Sequence, residues 1–292
     1  MTLRNEYLRL YREASGKDID LPKLEECNRK LDSSLRRLIK VSEVSNPQEI
    51  DVFIGAFPLL IINAQVRRSD SGILILVYDG IIPFAFETGV LLGGLLPLKL
   101  HGIELEPEVK LSDAQRIFGE MLITFLKTRG IKRGNILLHN NSRQEFACLV
   151  YNSIMWFVVA HELAHILCGH LKDEKTEKLM IGTSSVEFFV NSWQDEMEAD
   201  QTAIRLLRKL HVDNVCADTI YLGPIVFFEL AESIMYFASK LDICIMTSIS
   251  THPPSKARRS AIVQDTYSPG DVPQTFFLDH VVYIMEKLRI RL

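Results

Sequence analysis

His161-Glu162-Leu163-Ala164-His165 lies inside a long apolar run, Phe146 to Cys168, and the fold of the chain turns on how it is read. Residues four apart share one face of an α-helix, so the spacing predicts two imidazoles aimed at one point with Glu162 about 100° round the helix. Ile154, Met155, Trp156, Phe157, Val158 and Val159 lead into the motif, the pattern of a buried central helix. Ser142 with Glu145 reads as a capping box at its start, and Gly169 as its stop. Two histidines and a glutamate so placed each lose roughly several kcal/mol of hydration unless an ion or hydrogen bond compensates. One reading is a shared zinc ion with Glu162 reaching a water on it; the other is a pair of satisfied core histidines with Glu162 in solvent.

A catalytic zinc takes three protein ligands and keeps a fourth position open. Downstream, Ser192 reads as the N-cap of a helix whose Glu196 and Asp200 share a face with Ala203 and Leu207, the side that packs inward. On that basis Glu196 is the expected third ligand and Asp200 the acceptor for the free ring N–H of a ligand histidine, with Glu162 as general base. An acidic first turn favoured by the helix dipole is the other account of these acids, and it suits Asp195 and Glu198, which point away from that face. His170, five residues after His165, reads as a C-terminal histidine favoured by the dipole, away from His161. Leu171 and Cys168 stand where a three-histidine site needs histidine and glycine, which excludes that class.

With these residues in hand, the chain resembles the glutamate-zincin peptidases of the CaaX prenyl protease and HtpX type. Thr251-His252-Pro253-Pro254 with Arg258 resembles that family's T-H-P-x-x-x-x-R element, and Ile62-Asn63-Ala64 followed by Gly72 to Leu76 resembles its strand and hairpin beside the cleft. The resemblance spans about residues 50 to 265. It implies zinc on His161, His165 and Glu196, Glu162 as base, and Asp200 as the carboxylate behind a ligand histidine. It further implies a hydrogen bond from His252 to substrate or oxyanion, an anchoring role for Arg258 toward acids such as Asp200, and an edge for extended peptide at Asn63-Ala64. Gln65 departs from the bulky apolar residue usual in that strand. Peptide deformylase shares the short motif, but its cysteine ligand lies in E-G-C-L-S, whereas Cys148 here lies in F-A-C-L-V.

At 292 residues and 47% hydrophobic, the chain can bury one large core or two modest ones. A net charge of −4 gives no footprint for nucleic acid. Five cysteines, widely spaced and mostly in apolar runs, read as reduced core residues, and the charged N-terminus lacks a signal core, so a cytoplasmic protein is expected. The segment Ile81 to Leu100 is the candidate for membrane attachment, although Pro83, Glu87, Gly93, Gly94 and Pro97 count against a span. Periodicity predicts a helix through Leu24 to Leu38, two or three strands in 51–80, a helix from Ser112, a β piece at Val186 to Val190, and helices starting near Pro224, Pro254 and Pro273. The expected fold is α+β, mainly helical, with a zincin-like core and a small antiparallel or mixed sheet. Residues 1–50 would form a helical brace or lid on a zinc metallopeptidase domain at 51–292. The expected activity is a zinc endopeptidase on protein or peptide substrates; the alternative is a silent or autoinhibited protein of the same fold that acts on partners. Oligomeric state is not legible.

Overall fold

The computed structural model describes residues 2–16, 20–43, 50–59, 62–69, 71–100, 103–128, 134–171, 176–181, 184–189, 192–210, 218–243, 253–266 and 275–289. The protein is mainly helical with a small mixed sheet. It divides into two compact units: Met1–Ile81, Trp156–Asn214 and Met246–Pro254 form the first, and Ile82–Met155, Val215–Ile245 and Ser255–Leu292 the second.

In the first unit, α1 (Leu3–Ser15) is capped by Thr2, whose hydroxyl accepts from Asn5 N–H, and ends at Gly16 in the left-handed region. The next helix, α2 (Leu21–Val41), is capped by Asp20 with Pro22 in its first turn, and buries Leu24, Leu31, Leu35, Leu38 and Ile39 as the periodicity predicts. Both helices pack on strand β1 (Val52–Phe57). Parallel to β1 runs β3 (Gly72–Tyr78), which pairs antiparallel with β2 (Ala64–Ser69), giving the order β1-β3-β2. Tyr7 of α1 is fully buried and donates its hydroxyl proton to the Ala56 carbonyl, while Asn28 of α2 accepts from Ala56 N–H at 2.9 Å. The Tyr7 ring occupies the space over Gly55, where an added Cβ would lie 2.7 Å from it, so glycine is what lets α1 approach the strand.

Helix α5 (Asn141–Leu167) carries the histidine motif; residues to Met155 belong to the second unit and those from Trp156 to the first. Its cap is Asn140 rather than Ser142: the Asn140 side chain accepts from Ser142 N–H and its carbonyl from Arg143 and Gln144, while Glu145 is exposed. The first unit is completed by an antiparallel hairpin of β6 (Thr176–Ile181) and β7 (Ser184–Phe189), and by α6 (Trp193–Leu210), which packs on α2. The sequence reading found the second of these strands and missed the first.

The second unit holds α3 (Ile81–Leu95), the β4 (Leu98–Leu100) and β5 (Ile103–Leu105) hairpin, α4 (Leu111–Thr128), α7 (Asp218–Lys240), α8 (Ser255–Thr266) and α9 (Thr275–Arg289). The apolar segment proposed for membrane contact thus becomes a 15-residue helix and a strand. By length and composition α5 and residues 220–240 of α7 would reach across a membrane; 72% and 67% of their apolar windows are buried within the protein, as in core helices. Pro224 lies inside α7, not at its first turn as expected. Arg143, 1% exposed, ties this unit together by donating to the carbonyls of Gly93, Leu96, Leu105 and Glu106. Cys148 is exposed and Cys27 and Cys168 are half-buried, so these three free thiols are not core residues; Cys216 and Cys244 lie outside the described residues.

Asp79, just after β3, has the clearest pH consequence for stability. Burial, only partly offset by Lys23, lifts its carboxyl from 3.8 to about 6. The folded chain therefore binds this proton more tightly than the unfolded chain, and stability falls as pH rises from about 4 through about 6. Replacing Asp79 by Asn is expected to raise stability at pH 7.5 by about 1 kcal/mol and to flatten that decline. Denaturant titrations at pH 4.5 and about 7.5 that give the same difference for parent and variant would contradict it.

Candidate metal centre

The last turns of α5 meet the first turns of α6 in the first unit, and there the two predicted groups of residues come together. His165, Glu196 and Asp200 are each 1% exposed, His161 8% and Glu162 5%. The amphipathic face of α6 explains the inward carboxylates: Glu196, Ala199, Asp200, Ala203 and Leu207 are all buried, while Asp195 is half-buried and Glu198 exposed, as the spacing requires. Ser192 and Asp195 cap the helix reciprocally, at 3.1 and 2.9 Å, and so fix where its first turn begins.

Two ring nitrogens and the two oxygens of one carboxylate converge. His161 Nε2 lies 3.1 Å from His165 Nε2 and 3.5 Å from Glu196 Oε2, and His165 Nε2 lies 3.5 Å from Glu196 Oε1. Donors about 2.0–2.1 Å from a tetrahedral ion stand about 3.3 Å apart, so this triangle is the size a single ion of that kind requires. The buried cluster of His161, His165 and Glu196 could hold a metal ion. Asp200 Oδ1 sits 2.9 Å from His161 Nδ1, holding that ring with Nε2 toward the shared point.

Electrostatics agree with the geometry. Burial alone would pull the His161 imidazole down, but the hydrogen-bonded Asp200 and Glu196 carboxylates outweigh it and hold it up at about 10. Two buried carboxylates thus demand a positive charge between them, and a proton on His161 supplies it when no metal does. Glu162 follows directly on the helix, and its charge reaches Tyr78 of β3, whose phenol is pushed up first by burial and then by this carboxylate. Tyr78 in turn donates to Gln65 Oε1 of β2 at 2.5 Å. The Gln65 that departed from the family pattern is therefore a buried polar partner of the tyrosine beside the proposed base.

His170 stands just past the C-terminal end of α5, as expected, and the structure adds a contact to His165. Gly169 takes φ 76°, Gly169 N–H bonds to the Ile166 carbonyl, and His170 N–H bonds to the His165 carbonyl at 3.0 Å: a Schellman turn. That turn brings the residue after the glycine back over the third residue from the helix end, and here those are His170 and His165. Their Nδ1 atoms lie 2.9 Å apart, while His170 Nε2 faces Glu198 Oε2 at 3.3 Å and Asp195 Oδ1 at 3.9 Å. The contact is on the Nδ1 side of His165, whereas Nε2 faces His161, and helical spacing does not show it because the helix ends at Gly169.

The remaining expected residues are placed as follows. Asn63 is exposed and Ala64 buried at the start of β2, where the Asn63 carbonyl accepts from Tyr78 N–H at 3.1 Å. Arg258 belongs to the second unit, buried, with its guanidinium 4.8 Å over the Phe228 ring. Thr251 and His252 lie outside the described residues.

Below pH 10 an incoming metal ion must displace the His161 proton, so apparent affinity should rise about tenfold per pH unit and close to one proton should leave per ion bound at pH 7. Calorimetry in two buffers of different ionisation heat measures that number; zero would contradict the exchange. Removing Glu196 as Glu196→Ala should lower metal content well below stoichiometric, and undiminished uptake would remove it from the ligand set.

Comparison of the chain with protein-family models, with curated proteins and with solved structures returns no match in any of the three.

Proposed function

We propose that this chain is a zinc-dependent endopeptidase, a glutamate zincin in which His161, His165 and Glu196 hold the ion and Glu162 is the general base. The observation that carries the reading is the triangle of two Nε2 atoms and one carboxylate at 3.1, 3.5 and 3.5 Å, beside a buried glutamate one residue after the first histidine. The donor set of two imidazoles and a carboxylate is one that zinc accepts, with a fourth position left for substrate or water. Bound there, zinc would polarise a peptide carbonyl and lower the pKa of water.

The chain's own residues account for the remaining steps. Glu162 takes the proton from the attacking water and passes it to the departing amine nitrogen, which is general base followed by general acid on one carboxylate. Asp200 keeps the His161 ring oriented throughout. Protein or peptide is the substrate class, since hydrolysis by a glutamate base beside such a ligand set suits an unactivated amide. The free thiols at Cys27, Cys148 and Cys168 suit a reducing, cytoplasmic setting.

Glu162→Gln should keep stoichiometric zinc and lose at least about a hundredfold in turnover of an unfolded reporter such as casein. A variant that cleaves as fast as the parent would refute the base assignment. Parent protein that holds zinc and cleaves no unfolded reporter would favour the other reading, a silent zincin acting through a partner. Deleting α1 and α2 is a poor way to look for a hidden activity, because Tyr7, Leu24, Leu31, Leu35 and Leu38 are part of the core over β1.

A further inference from the structure

The geometry points to a second, outer metal site formed by Cys168, His170 and Glu198, which takes a zinc-class divalent cation and competes with the hydrogen bond that orients His165. Its ligand atoms, a thiol sulfur, a ring nitrogen and a carboxylate oxygen, all lie within 4.8 Å of one another. Closing them to the tetrahedral spacing of about 3.5 Å needs small rotations of Cys168, half-buried, and of Glu198, whose side chain is 52% exposed. Asp195, with Oδ1 3.9 Å from His170 Nε2, is within reach as a fourth ligand. The site opens to solvent on the Glu198 side.

Two features distinguish this cluster from a chance surface grouping. The His170 side chain is only 5% exposed and is held from behind by His165 at 2.9 Å, so its Nε2 is aimed at the cluster before any ion arrives. The Schellman turn also places Cys168 and His170 two residues apart across the left-handed Gly169, while α6 supplies Glu198 and, at 3.4 Å from the sulfur, the Thr202 hydroxyl. A thiolate, an imidazole and one carboxylate favour zinc or cobalt over magnesium or calcium, which want oxygen throughout. On binding, Cys168 gives its thiol proton to solvent and the sulfur becomes the ligand.

Competition follows from donors and acceptors, and it rests on the inner-site reading given above. A neutral His165 holding an ion through Nε2 keeps its proton on Nδ1 and donates it to His170 Nδ1. The His170 proton is then on Nε2, facing Glu198. An ion on that Nε2 sends the proton to Nδ1, where it meets the His165 N–H at 2.9 Å: two donors face each other and the bond is lost. Filling the outer site therefore releases the ring that the inner ion depends on.

The test is a cobalt(II) titration of the full chain, followed by the thiolate-to-metal charge-transfer band in the near ultraviolet. The expected result is a first equivalent without the band and a second with it. Cys168→Ser should abolish the band and the second equivalent but leave the first, while Cys148→Ser, which alters the exposed thiol, should change neither. In Glu196→Ala the band should appear with the first equivalent, which separates this site from the inner one: a band there stands even if the inner assignment fails. The second equivalent should also speed loss of the inner ion to a chelator by roughly tenfold in the parent and not in Cys168→Ser. No band, or one that survives Cys168→Ser, overturns the site, and an unchanged release rate overturns the competition.

Discussion

Two carboxylates with almost no solvent exposure, Glu196 and Asp200, face two histidines across the contact of α5 with α6, and the rest of the site depends on neutralising them. An unpaired charged carboxylate in an apolar interior is costly, so packing these helices favours a positive charge between them. The raised His161 basicity is the same fact seen from the histidine. A proton can meet the charge requirement, but it bridges one pair of atoms at a time. A metal ion meets the charge and the three-way convergence together, which is why the triangle of distances carries more weight than the motif alone.

This constraint also explains which parts of the sequence were legible. The motif, the inward Glu196 and Asp200, and the helix over Leu24 to Leu38 were readable because each is a periodicity: burial selects one face, and the spacing records it. The three strands in 52–78 were readable for the same reason, helped by turn residues between β2 and β3. What escaped depends on single backbone events. Asn140 displaced Ser142 as cap because several polar residues in a row can each accept from a helix start, and propensity does not choose among them. The apolar 81–100 segment had no period to read, since α3 buries nearly every side it has. Pro224 reads as a helix start and lies in the interior of α7.

The contact of His170 with His165 is one that helical spacing does not show. A helical wheel assumes that the helix goes on, whereas a glycine in the left-handed region ends it and folds the next residue back. The resulting contact joins the inner ligand set to residues on the outer face of α6 through one pair of rings. Asp195 and Glu198 stand beyond that pair, with oxygens 3.9 and 3.3 Å from His170 Nε2. Gln65 makes a similar point in the sheet, where a residue that breaks the expected pattern is buried against Tyr78.

The two histidines proposed as ligands are backed by unlike groups, and this would make them unlike as electron donors toward an ion. Asp200 Oδ1 stands 2.9 Å from His161 Nδ1, whereas His165 Nδ1 has the His170 ring at 2.9 Å, a weaker acceptor than a carboxylate. An ion held between them would be bound more firmly by His161 than by His165. Under the proposed reading, exchange at the ion would have its easier direction on the His165 side, set by the backing residues rather than by the ligands themselves.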